Sequence, residues 1–136
     1  LSGGRFRFGI GVSHGPMLKR LGITAGKPLE DTRAFVERYR ATQGTGAKAP
    51  LILATLRRKM IALAGEIGDG IVFANAVRSH MAQSLAALPA EKRADPDFFI
   101  GDMIPTIVSD DIEAAKAVHR RTLTNYVRMP NYRNYW

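Results

Sequence analysis

Arg5-Phe6-Arg7-Phe8-Gly9-Ile10-Gly11-Val12 alternates without a break, with Phe6, Phe8, Ile10 and Val12 on one face and Arg5, Arg7, Gly9 and Gly11 on the other. A period of two is what a strand imposes, because successive side chains leave a pleated backbone on opposite sides. The stretch therefore reads as a strand over 5–12. Beyond a Gly- and Pro-containing loop, Pro28 to Arg40 sets Thr32, Phe35, Val36 and Tyr39 at helical spacing, and Glu30 and Asp31 favour the dipole of its first turn. A small, Gly-bearing linker over 43–49 then leads into Pro50-Leu51-Ile52-Leu53-Ala54. A short, continuously apolar run of this kind is the mark of a parallel strand with both faces covered.

The rhythm continues. Met60, Leu63, Ala64 and Ile67 predict a helix over 58–67, with Gly68 where a left-handed residue commonly ends one. Ile71-Val72-Phe73-Ala74 reads as a strand, and Ser79 as the N-cap of a helix with Met81, Leu85 and Leu88 on one face. Asp95-Pro96-Asp97 marks a turn, 98–108 reads as a strand, and Asp110 with Glu113 forms a capping box ahead of a helix over 112–126. Four β-α units in succession predict a parallel sheet with helical crossovers: a doubly wound sheet, a barrel, or a portion of either. A complete (β/α)8 barrel takes about 250 residues. The 136 residues of this chain amount to about half of one, a single partial domain over 1–136.

A content of 46% hydrophobic and 24% charged residues suits one ordinary soluble domain and excludes dominant disorder. No apolar run approaches the roughly 20 residues a membrane helix needs. The chain starts at Leu1 without a charged-then-apolar leader, so it reads as soluble, cytoplasmic and a fragment. With no Cys, it has no disulfides, thiolate metal sites or Cys nucleophiles. The net charge of +8 calls for an anionic partner. Basic residues are scattered from Arg5 to Arg133, however, and the tightest cluster is Arg57-Arg58-Lys59, so neither nucleic acid nor a membrane surface is the expected partner.

Four patterns could carry chemistry. Gly9-Ile10-Gly11 invites a dinucleotide-binding turn, but the third glycine of that fingerprint should stand at 14, which is His14. Gly11-Val12-Ser13-His14-Gly15 matches the Gly-x-Ser-x-Gly elbow of serine hydrolases, and Ser13, Asp102 or Asp110, and His119 follow in that fold's triad order. The long loop expected before the helix at Pro28 counts against it, and a hydrolase using Ser13 stands as an alternative. His14, His80 and His119 lack any i, i+4 pairing, so no metal site is expected. His80 and His119 read as partly exposed helix residues, whereas His14 follows a strand's C-terminal end, where α/β folds hold ligands. The C-terminal Tyr126, Tyr132, Tyr135 and Trp136 read as packing against a core or a subunit rather than as a base-stacking surface.

Leu1-Ser2-Gly3-Gly4-Arg5-Phe6, running into Phe8-Gly9-Ile10-Gly11-Val12-Ser13-His14, resembles a stretch of the luciferase-like flavin and deazaflavin oxidoreductases. Ala49 to Ala54, then Lys59, Met60, Leu63, Ala64 and Gly68-Asp69-Gly70, resemble that family's next strand, phosphate loop, helix and turn in the right order. The resemblance implies a (β/α)8 barrel, represented here by about its fourth to seventh β-α units. It also implies flavin mononucleotide (FMN) or the deazaflavin coenzyme F(420), a small organic substrate, and a homo-oligomer. Gly9 and Gly11 would point into the barrel and leave room for a flat ring, while Val12, Ser13 and His14 would rim its mouth. His14 falls where some of these enzymes carry a glutamate, and it is the implied catalytic acid. Thr55, Leu56, Arg57 and Arg58 would form the phosphate loop, with Asn75 closing the site. Leu56-Arg57-Arg58 departs from the glycine-rich family pattern, and two arginines forking onto phosphate would compensate for lost backbone donors. A non-catalytic half-barrel module is the other alternative.

Overall fold

The computed structural model describes residues 2–24, 26–44 and 46–136; Leu1 of the family-like stretch and Thr45 of the linker lie outside them. Along the chain the elements are β1 (Phe8–Ile10), α1 (Gly15–Arg20), α2 (Pro28–Ala41), β2 (Leu51–Thr55), α3 (Arg58–Ile67) and β3 (Gly70–Ala74), followed by α4 (Arg78–Leu85), α5 (Ala90–Ala94), β4 (Phe99–Met103), α6 (Ile112–Val127) and α7 (Pro130–Arg133). All strand pairs are parallel, and the sheet order β1-β2-β3-β4 is the order of the chain. The protein is therefore a mixed α/β fold on a four-stranded parallel sheet.

Register assigns the faces. Phe8 pairs with Leu51, Leu53 with Ile71, and Thr55 with Phe73, so these residues share one side of the sheet. Against that side α2 and α3 contribute Val36, Ile61 and Ala64, which with Leu53, Ile71 and Phe73 are at most 1% exposed. Phe8 adds ring contacts to Phe35 and Tyr39 of α2, at centroid distances of 6.4 and 5.4 Å. The opposite side carries Gly9, Ala54, Gly101 and Met103 and is largely open, with Met103 63% exposed. Four strands at about 4.8 Å spacing set the outer pair roughly 14 Å apart. Even so, the Arg7 guanidinium lies 5.0 Å from the Phe99 ring, so side chains from the two edges converge over the open face.

Several expectations need correction. The strand expected over 5–12 pairs only at Phe8–Ile10, because β2 begins at Leu51 and offers no partner to residues before Phe8; Phe6 is 57% exposed. The strand expected over 98–108 stops at Met103, opposite the last residue of β3, and Pro105 lacks the N–H a longer ladder would use. Gly68 is not left-handed (φ −108°); it is needed because a Cβ would meet the Ala64 carbonyl oxygen at 2.8 Å and Leu53 Cδ1 at 2.9 Å. The N-cap of α4 is Val77, and Ser79 lies inside the helix with its hydroxyl 3.0 Å from His80 Nδ1. Asp111, not Asp110, caps α6 by accepting from the Ala114 amide at 2.9 Å, and Glu113 pairs with Lys116 instead of closing a box. The double cover expected for β2 holds on the helix side, but Ala54 is exposed on the open one.

Candidate functional site

Because the strands are parallel and adjacent, their C-terminal ends form one edge of the sheet, and that edge gathers the residues singled out from the sequence. Gly9 lies within β1 and Gly11, Val12, Ser13 and His14 just beyond it; Thr55 ends β2, with Leu56 and Arg57 joining it to Arg58 at the start of α3; Asn75 follows β3. All ten thus come from three neighbouring strands and the loops that leave them.

The two glycines differ. A Cβ on Gly9 would meet nothing within 4 Å, so the backbone there borders open space, whereas a Cβ on Gly11 would meet Ala54 Cβ at 2.9 Å. Glycine at 11 is therefore a packing requirement of the open face. Two grooves of about 500 and 310 Å³ run beside this segment, the first between Gly9 and Phe35, the second between Ser13 and Leu18. They follow the unpaired edge of β1 and the flank of α2, which contributes Asp31 to both and Thr32 and Arg38 to the first.

At β2, Thr55 is 4% exposed and its hydroxyl has no hydrogen-bond partner among the described residues. Next to it α3 begins without a side-chain cap and without an acidic residue in its first turn. The Met60 and Ile61 amides bond back to the Arg57 carbonyl, while exposed Arg57, Arg58 and Lys59 surround the helix start. A helix N-terminus carries partial positive charge and free N–H donors, and three cations reinforce it. The arrangement suits an anion.

Sequence reasoning missed the C-terminal segment as part of this edge. Tyr132 is 5% exposed, with its ring 6.0 Å from His14 and 4.9 Å from Tyr126, and the indole N–H of Trp136 donates to the Asn75 carbonyl at 3.1 Å. Burial pushes the Tyr132 hydroxyl above the usual phenol range, the neighbouring Tyr126 adds to the rise, and a hydrogen bond with the Asn75 side chain opposes it. Tyr135 packs on His80 and reaches the Ser84 hydroxyl at 3.3 Å. The aromatic side chains thus pack on one another, on α4 and on the residues that follow β1 and β3.

Residues 1–136 match the luciferase-like monooxygenase family. The chain belongs to that family. No curated protein matches it. Membership in the luciferase-like family points to flavin-type oxidoreductase chemistry, with reduced flavin or deazaflavin as the family's general cofactors. The hydrolase alternative gains one feature, since α1 starts at Gly15 directly after the Ser13 turn rather than beyond a long loop. It lacks the rest: Ser13 makes no hydrogen bond with Asp102, Asp110 or His119. Among the described residues no group of three or more His, Asp or Glu could hold a metal ion, and no helix is long and apolar enough to cross a membrane.

Proposed function

We propose that the chain supplies part of the cofactor pocket of a flavin- or deazaflavin-dependent oxidoreductase, with β1–β4 forming half of a (β/α)8 barrel whose interior is the open face. Chain-ordered parallel strands, with α2 and α3 packed on one side, support the barrel reading. One observation carries the phosphate end of the pocket: Thr55, the last residue of β2 and on its helix side, has a buried, unpartnered hydroxyl just ahead of the uncapped, cation-flanked start of α3. A phosphate there would accept from Thr55, from the Arg58 and Lys59 amides at the helix start and from the forks of Arg57 and Arg58. The open space at Gly9 suits the flat ring system that the phosphate anchors.

When bound, the cofactor supplies the redox step, taking or giving a hydride or activating oxygen. The chain's own residues bind and orient. Val12 and Ser13 border the ring position, Asn75 closes the far side, and His14, steadied by the Tyr132 ring, is the proton donor toward a small organic substrate. Cytoplasmic residence and homo-oligomerisation belong to the same reading.

FMN and deazaflavin titrations of the full-length protein test it. The Arg57→Ala, Arg58→Ala double variant is expected to lose at least about tenfold in affinity, about 1.4 kcal/mol, and the loss should shrink at high salt. Unchanged binding by the variant would remove the phosphate assignment. Failure of the unsubstituted protein to bind either cofactor would favour the non-catalytic module.

A further inference from the structure

Asn75 is the one described non-glycine residue with a positive φ, 56°. Asparagine tolerates the left-handed region better than most residues, but not freely. Such backbone conformations persist where the surroundings over-determine them, and they gather at functional sites. Here the surroundings are specific. The Asn75 amide donates to the Met103 carbonyl at 3.2 Å, which ties it to the end of β4. Its carbonyl accepts from Trp136 Nε1 at 3.1 Å, across 61 residues of chain. Tyr132 is itself wedged among His14, Tyr126 and Trp136, the last at a centroid distance of 5.4 Å. Packing alone would explain the rings, but not why the indole N–H ends on the residue with left-handed backbone at the edge that gathers the candidate site.

We propose that Trp136 and Tyr132 are positioning residues, the indole through its bond to the Asn75 carbonyl and the Tyr132 ring by bracing the indole, which together hold Asn75 in its left-handed conformation and so fix its side chain at the candidate cofactor site. They act through Asn75 and need not touch the cofactor. The inference rests on the cofactor reading of that edge. It adds a role for a C-terminal segment whose aromatic character alone suggested only burial.

Trp136→Phe keeps a ring in place and removes the hydrogen bond to Asn75, and Tyr132→Leu removes the ring that packs on Trp136. FMN and deazaflavin binding are followed by the emission anisotropy of the cofactor, with thermal midpoints measured in parallel. Each variant is expected to raise Kd at least threefold. In an Asn75→Gly background, where glycine adopts the left-handed conformation at no steric cost, the same substitutions are expected to cause no further loss. An unchanged Kd with a lowered thermal midpoint would reduce the segment to packing and overturn the proposal. An equal loss with and without Asn75 would also overturn it, because the rings would then act independently of that residue. If the unsubstituted protein gives no anisotropy change with either cofactor, the cofactor reading itself fails and takes the positioning role with it. That outcome is distinct from binding that ignores Trp136 and Tyr132.

Discussion

Gly9 and Gly11 stand two residues apart, and the sequence gives both the same reason for being small: each faces away from the phenylalanines, toward where a flat ring would lie. Distances separate them. Gly11→Ala drives a Cβ to 2.9 Å from Ala54 Cβ and should cost about 1–3 kcal/mol, read from the denaturation midpoint. The double variant Gly11→Ala, Ala54→Gly should recover much of that loss. Gly9→Ala meets no atom within 4 Å and should leave stability within about 0.5 kcal/mol while weakening flavin binding, because the new methyl occupies the space left for the ring. If Gly9→Ala binds flavin like the parent, the ring does not lie there. Sequence could not make this distinction, since it depends on which atom of a neighbouring strand stands opposite. Tyr132 and Trp136 were illegible as site residues for a related reason: nothing local links them to His14 or Asn75, and only the tertiary fold brings them together.

Helix α3 is the element whose bounds, Arg58–Ile67, the apolar spacing predicted without error. Its buried face of Ile61, Ala64 and Ile67 is strong enough to override local detail. Ile61→Ala, at a position with no exposure, is expected to destabilise by about 2–5 kcal/mol in chemical denaturation. The short helices α1, α5 and α7 were missed because none is long enough to show a period. Their signal was proline: Pro16 and Pro130 sit in the first turns of α1 and α7, and Pro89 precedes α5. Between α2 and α3, Arg33 holds Glu66 through two bonds of 2.9 and 2.7 Å. The hydrogen bond from Arg33 lowers the Glu66 carboxyl below its ordinary value. A carboxyl with a depressed folded value contributes stability above its unfolded value and loses that contribution as pH falls through the folded one. Glu66→Gln should therefore flatten the acid limb of the stability–pH curve. The pair is exposed, so the effect should be small and should fade in salt.

At the scale of the molecule, the β-α rhythm gave the parallel sheet and its four strands. It could not give strand lengths, which depend on where a neighbour begins. The strands β1 and β4 each leave one edge unpaired, and the open face shows Phe99 and Met103 to solvent. Unpaired edges beside an apolar face favour association. The 136-residue chain by itself is accordingly expected to self-associate at low micromolar concentration; a compact monomer in light scattering would contradict this. The agreement between strand order and chain order also bears on how the protein is made. Each strand pairs only with the one synthesised just before it, so every completed β-α unit can dock onto a finished neighbour without waiting for distant chain. Pairing Phe8 with Leu51, Ile52 with Gly70 and Gly70 with Phe99 closes one β-α unit at a time, so the entropic cost of loop closure is met in steps, at the slow pace of parallel pairing. The sheet can therefore grow in one direction as the polypeptide leaves the ribosome, and the segment from Pro130 to Trp136 then reaches back to Asn75 and His14 across the strands already in place.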